Sequence, residues 1–142
     1  MHGESLTPAA LAELTGVSTD TLRHYERKGL LARPPRTDAG HRRYPAAAAD
    51  RVRLIRRALV IGFSLAELAR VLRQRERGGA PCREVRALVG TRRAALDRQI
   101  DELIVLRRDL DRLLAEWDRR LDATPPGHRA NLLETLLRRG GL

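Results

Sequence analysis

Residues 7–29 read TPAALAELTGVSTDTLRHYERKG, and the punctuation of this stretch decides the fold. Thr7 stands before Pro8: a capping hydroxyl, then a proline at the first helical position, where its missing N–H would have had no partner anyway. Leu11, Ala12 and Leu14 carry the helix to Gly16, a natural stop because glycine adopts the left-handed conformation at little cost. Ser18 then caps a second helix, with Asp20 in its first turn facing the positive end of the helix dipole. That helix runs through Leu22, Tyr25 and Glu26 and stops at Gly29. Two short helices joined by Thr15-Gly16-Val17-Ser18 read as a helix-turn-helix.

Outward from this unit, Pro34-Pro35, Thr37-Asp38-Ala39-Gly40 and His41-Arg42-Arg43-Tyr44 predict a small hairpin, or wing, between residues 30 and 44. Pro45 is expected to open a third helix through Val52, Leu54, Ile55, Leu59 and Ile61, closed by Gly62. Ser64-Leu65-Ala66-Glu67 is a capping box, in which serine and glutamate satisfy each other's backbone amides. It starts a fourth helix along Leu65, Leu68, Val71 and Leu72 that ends before Gly78-Gly79.

After Pro81 the period changes. Val89, Leu96, Leu103, Leu110 and Trp117 fall seven residues apart, and Ile100, Leu106, Leu113, Leu114 and Leu121 supply a second stripe. From Arg83 to Asp122 only Gly90 weakens the helix, at a cost of about 1 kcal/mol against alanine. The other faces are Arg, Asp and Glu, so a helix this long cannot bury its narrow seam on itself. A partner helix, parallel or antiparallel, is required, which predicts a coiled-coil homodimer. Thr124-Pro125-Pro126-Gly127 ends the helix, and Asn131 to Arg139 is expected to form a short terminal one.

The formal net charge is +10, and it is uneven: residues 1–80 carry 15 basic against 8 acidic side chains, residues 81–142 carry 13 against 10. A polyanionic partner, nucleic acid first among them, is expected on the first half. Aromatic residues make up 3 %, so the core is built from Leu, Val, Ile and Ala, a palette that favours helices. No apolar run reaches the roughly 20 residues of a membrane span, and Met1 to Pro8 lacks a signal-peptide layout. The single cysteine, Cys82, allows no internal disulfide. A cytoplasmic location with a reduced thiol and no membrane partner is the expectation.

Leu22-Arg23-His24-Tyr25-Glu26, Gly29-Leu30-Leu31, Gly40-His41-Arg42-Arg43-Tyr44 and Gly62-Phe63-Ser64-Leu65, in that order and spacing, resemble the MerR transcription regulators. The resemblance runs from Leu6 to Trp117 and is most specific over the first 75 residues or so. It implies a mainly α fold: a winged helix-turn-helix DNA-binding domain plus a long antiparallel coiled-coil dimerisation helix. The corresponding boundaries are residues 1–77 for DNA binding, 78–123 for the dimerisation helix and 124–142 for a tail close to an effector. It further implies a homodimer on a pseudo-palindromic promoter operator in double-stranded DNA. Such proteins bend and untwist the promoter so that RNA polymerase can use it once an effector binds.

The second helix of a helix-turn-helix enters the major groove. It offers Thr19, Thr21, Arg23, His24 and Arg27, and Arg23 and Tyr25 match family positions that contact DNA. Arg42, Arg43 and Tyr44 match the wing, and Arg53, Arg56 and Arg57 on the third helix are within reach of phosphates. An ordinary solvated role stands beside this for each arginine, and a core role for Tyr25. The co-occurrence of the whole set favours DNA.

For the effector, Cys82 stands just before the long helix, where divalent-metal sensors of the resembled family carry a cysteine ligand. Those sensors complete the site with cysteines near the far end of the partner's helix, where this chain has Trp117, Asp118, Asp122 and His128 instead. One thiolate, one imidazole and carboxylates suit zinc better than mercury. Cys82 with His128 of the other protomer is therefore the metal expectation, with zinc or another divalent ion as cofactor. Burial of Cys82 as a small hydrophobe, a thiol-redox role helped by Arg83 and Arg86, and an organic ligand beside Trp117 are the competing expectations.

An enzyme is not expected. His2, His24, His41 and His128 stand at no ligand spacing from one another, and there is no nucleophile-base-acid set and no phosphate-cradling glycine loop. A coiled-coil interaction protein would explain Val89 to Leu121 but leave the capped helix-turn-helix and basic wing without a purpose.

Overall fold

The computed structural model describes residues 4–139. The elements in chain order are β1 (Ser5–Leu6), α1 (Pro8–Thr15), α2 (Thr19–Arg27), β2 (Tyr44–Pro45), α3 (Ala48–Ile61), α4 (Leu65–Glu76), α5 (Cys82–Asp122) and α6 (Leu132–Arg138). His2 lies outside the described residues. No helix among the described residues is long and apolar enough to cross a membrane.

The helix starts follow the capping chemistry. Thr7 Oγ1 accepts from the Ala10 amide at 3.1 Å, and Ser18 Oγ accepts from the Thr21 amide at 3.0 Å. Ser64 and Glu67 form the full capping box, and the bonds from Ser64 hold the Glu67 carboxyl below its usual range. Gly16 and Gly62 end α1 and α3 at φ of 70° and 114°. Gly62 is also a close approach: a Cβ there would stand 2.3 Å from Arg92 Nε.

Two expectations are corrected. Pro45 does not open the third helix but lies in β2, which pairs antiparallel with β1 in the register Leu6↔Tyr44 and Ser5↔Pro45. α3 begins three residues later, at Ala48. The reason is Tyr44, whose ring must turn inward from an extended backbone before the helix starts; it is 1 % exposed. β1 itself was not foreseen, since a two-residue strand has no periodicity to read. The second correction is that Cys82 is the first residue of α5, with the Pro81 carbonyl accepting from the Val85 amide at 2.9 Å.

The chain groups into two compact units that divide within α5, after Arg93. In the first, Leu11, Leu22, Leu30, Tyr44, Val52 and Ile55 are closed off from water, with Leu68, Ala69 and Leu72 of α4 packed into the same core. The first turns of α5 belong to this unit, which therefore extends past residue 77; Arg70 on α4 is ion-paired to Glu84 on α5. In the second, Trp117 Nε1 donates to Thr135 Oγ1 at 2.9 Å, and Thr135 donates to the Leu132 carbonyl at 2.6 Å. Arg139 bonds Glu116 at 2.9 Å, which holds that carboxyl below its usual range.

Candidate nucleic-acid interface

The helix-turn-helix presents α2 by sorting its residues onto two faces. Leu22, Tyr25 and Glu26 are buried, while Asp20, Arg23, Arg27 and Lys28 are exposed. Arg23 pairs loosely with Asp20 at 3.7 Å across one turn, a solvent-exposed contact of little strength. Thr19, Thr21 and His24 are half-buried; the Thr21 hydroxyl lies 2.9 Å from Ser18 Oγ and so is partly committed to the cap. His24 leans on Tyr25 with ring centroids 6.5 Å apart.

The wing is a short hairpin. Arg36 bridges Arg42, the Thr37 amide donates to the His41 carbonyl at 2.8 Å, and the Arg43 amide donates to the Pro35 carbonyl at 3.0 Å. Gly40 supplies the turn at φ 80°, and Arg36 Nη1 donates to its carbonyl at 2.9 Å. A groove of about 600 Å³ runs between this hairpin and the start of α1, bordered by Thr7, Arg36, His41 and Arg43.

On α3, Arg53 pairs with Asp50 at 3.1 Å, and Arg57 is exposed. Arg56 donates to the Thr15 carbonyl at 2.6 Å and so closes the C-terminal end of α1. The three arginines rim a second groove of about 630 Å³ whose floor includes Leu14, Val60 and Ile61.

Two of the expected contact residues are buried in the free chain. Tyr25 is 6 % and Tyr44 1 % exposed, and both belong to the core. Arg42 is half-buried and ion-paired to Glu26, and is held away from solvent on that side. Sequence reasoning missed Glu26 as the buried partner of Arg42 and Tyr44, although an acid among Leu22 and Tyr25 on the inward face of a basic helix was a readable signal. It also missed Arg51, which donates to the Leu30 carbonyl at 2.8 Å and meets Glu76 at 2.7 Å, joining the wing's root to α3 and α4.

Residues 6–75 match the model of the MerR HTH family regulatory proteins, and residues 49–113 that of the MerR DNA-binding region. A mercuric resistance operon regulatory protein from Bacillus cereus is 30 % identical over 91 % of this chain and 95 % of its own length. The chain belongs to the MerR family. Among solved MerR structures, HiNmlR, a regulator lacking the sensor domain and bound to promoter DNA, is 28 % identical with a TM-score of 0.57, covering 84 % of this chain and 94 % of that one. PbrR691 from Ralstonia metallidurans CH34, in complex with lead(II), is 29 % identical with a TM-score of 0.67, covering 92 % and 98 %. The protein is thus a promoter-binding MerR transcription regulator with metal-responsive relatives, and not an enzyme.

The remaining expected MerR positions lie on α5 and beyond. Val89, Leu96, Leu103 and Leu110 are all exposed, between 39 % and 63 %. Trp117 is half-buried, and its indole N–H is taken by Thr135, so it anchors α6 as well as standing in the seam. Cys82 is an exposed free thiol in the single chain. His128 is exposed in the turn after α5, its Nδ1 3.4 Å from the Pro126 carbonyl. Among the described residues no three of His, Cys, Asp and Glu stand close enough to share an ion.

Proposed function

We propose that this regulator binds a pseudo-palindromic promoter operator as a homodimer joined by antiparallel pairing of α5, and distorts the operator in response to an effector. One observation carries the reading: α5 is 41 residues long and buries none of them, yet Leu96, Ile100, Leu103, Leu106, Leu110 and Leu114 all face water. Contiguous apolar surface of that kind marks an interface. A second copy of the same helix fills it with the same heptad spacing. Two copies present two α2 helices, which suits a two-fold operator.

On that operator, Arg23 and Arg27 of α2, with Thr19, Thr21 and His24 at its margins, read the major groove. Arg36, His41 and Arg43 of the wing and Arg53 and Arg57 of α3 meet phosphates, which give affinity and salt dependence. Bending a site by tens of degrees costs on the order of 1–6 kcal/mol, offset by this basic surface. RNA polymerase then uses the distorted promoter, in the cytoplasm. Sedimentation of the intact protein, with and without duplex selected from random sequence, tests the reading. A monomer in both, or no preferred duplex, overturns it.

For the effector, the exposed Cys82 thiol is the observation to build on. Cys82 of one protomer with the partner's His128 would hold a zinc or other divalent ion, and Asp118 or Asp122 would complete its charge. Such an ion would cross-link the two protomers and bias the angle between their DNA-binding units. The same thiol, oxidised, would serve a redox-responsive regulator by the same DNA-binding mechanism. Calorimetric titration of the reduced protein with zinc, beside Cys82→Ser, separates them: tight binding lost in the variant supports the metal, and no binding leaves the oxidant.

A further inference from the structure

We infer that Glu26 is a positioning residue for DNA reading: a buried carboxylate on α2 that grips the wing through Tyr44 and Arg42 and makes helix and wing a single reading surface. This rests on the promoter-binding reading above. The Glu26 side chain is 3 % exposed, and each oxygen has its own partner: Tyr44 OH donates to Oε1 and Arg42 Nη2 to Oε2. Arg42 and Tyr44 are two residues apart on an extended backbone, so they lean to one side of it and meet the carboxylate together.

Fold stability alone is a poor account of this arrangement. Burying a carboxylate costs several kcal/mol before its partners repay it, and apolar replacements of such groups are often neutral or stabilising. What the group supplies that an apolar side chain does not is direction. The apolar contacts of Leu22 and Tyr25 are non-directional, whereas the two hydrogen bonds at Glu26 weaken steeply once misaligned. Arg23, one turn before Glu26, and Arg27, the residue after it, are exposed on the same helix. A guanidinium ~6 Å from the axis moves by ~1 Å for a roll of about 10°, enough to spoil a base contact. Tyr44 also sits on β2 opposite Leu6, and the wing hairpin joins it at Arg42, so the grip reaches the root of the wing. Burial, then the bond to Glu26, push the Tyr44 hydroxyl up to about 12, so it stays a donor across the working range.

A second consequence is electrostatic. Arg42 spends its charge on Glu26 and is withheld from phosphate; once released it would bind any DNA, specific or not. Glu26→Gln keeps the volume and removes the charge.

The test uses the intact protein with two duplexes of equal length, one selected from random sequence by the wild type and one scrambled, across a range of salt. Glu26→Gln is expected to lose at least tenfold in the selected-to-scrambled affinity ratio. The salt slope on scrambled DNA should steepen by about one per freed arginine. Tyr44→Phe, which leaves the Arg42 pair in place, is expected to lose part of the ratio with no change in slope. If Glu26→Gln does not fold, the Tyr44→Phe ratio decides alone. A lower melting temperature with an unchanged ratio overturns the inference, since the role would then be structural only. A wild type that selects no preferred duplex overturns the promoter-binding reading instead.

Discussion

The two units of this chain are built on opposite terms. Up to Arg93, α1 to α4 are short and close around Leu11, Leu22, Leu30, Val52 and Ile55, all of them out of reach of water. From Ala94 onward the longest described helix buries nothing, and among the described residues the one buried side chain is Thr135, held by Trp117. The first unit carries its own core; the second offers half of one. A helix of this length gains most of its stability from packing rather than propensity, so its apolar row must be paid for by a neighbour. The difference teaches where, on the proposed homodimer, regulation would enter: the unit that completes its core within one chain would read DNA, and the unit with the open apolar row would report what happens between two chains.

The comparison breaks most easily in the seam. Leu103→Asp would place a charge at the middle of each paired helix, and the proposed dimer should weaken by more than about 4 kcal/mol, as uncompensated buried charges usually do. Sedimentation at micromolar protein should then show monomers whose first unit still melts cooperatively; a persisting dimer would contradict the seam. The converse is Leu22→Ala, which removes a fully buried side chain from the first unit. It is expected to cost about 2–5 kcal/mol in denaturant unfolding of that unit and to leave self-association unchanged.

A finer contrast comes from pH. Folding raises the Tyr44 hydroxyl from 10.0 to about 12, through burial first and the bond to Glu26 second. The folded chain therefore holds a proton in that window that the unfolded chain has released. Stability is fully present below pH 10 and falls as pH rises toward 12, by roughly 2–3 kcal/mol. Tyr44→Phe should flatten that decline and cost about 1–3 kcal/mol at neutral pH, because Glu26 loses a donor. An equally steep alkaline decline in the variant would place the titration elsewhere. The smallest effect is at the α4 start, where Ser64→Ala should cost about 0.5–2 kcal/mol in thermal unfolding of the first unit. The same change should leave the second unit's helix content, read by circular dichroism, untouched.

Much of this molecule was legible before any coordinates. Thr7, Ser18 and Ser64 announce helix starts by local chemistry, Gly16 and Gly62 announce stops, and the heptad from Val89 to Trp117 announces a helix that needs company. These signals act within a few residues, or repeat along one element, so a linear reading finds them. What lay beyond it was every feature made by distant residues meeting. β1 exists only because Tyr44 and Pro45 come to lie beside Ser5 and Leu6. Tyr25 and Tyr44 read as DNA contacts by their place in a motif, and only their surroundings show them to be core. Arg42 and Arg56 look like free cations in the chain; one is held by Glu26 and the other by the Thr15 carbonyl. Capping, periodicity and charge balance were thus settled by the amino-acid order, because they depend on near neighbours. Which polar groups find a partner within the chain was decided by tertiary structure, because that partner lies 16 or more residues away in the sequence.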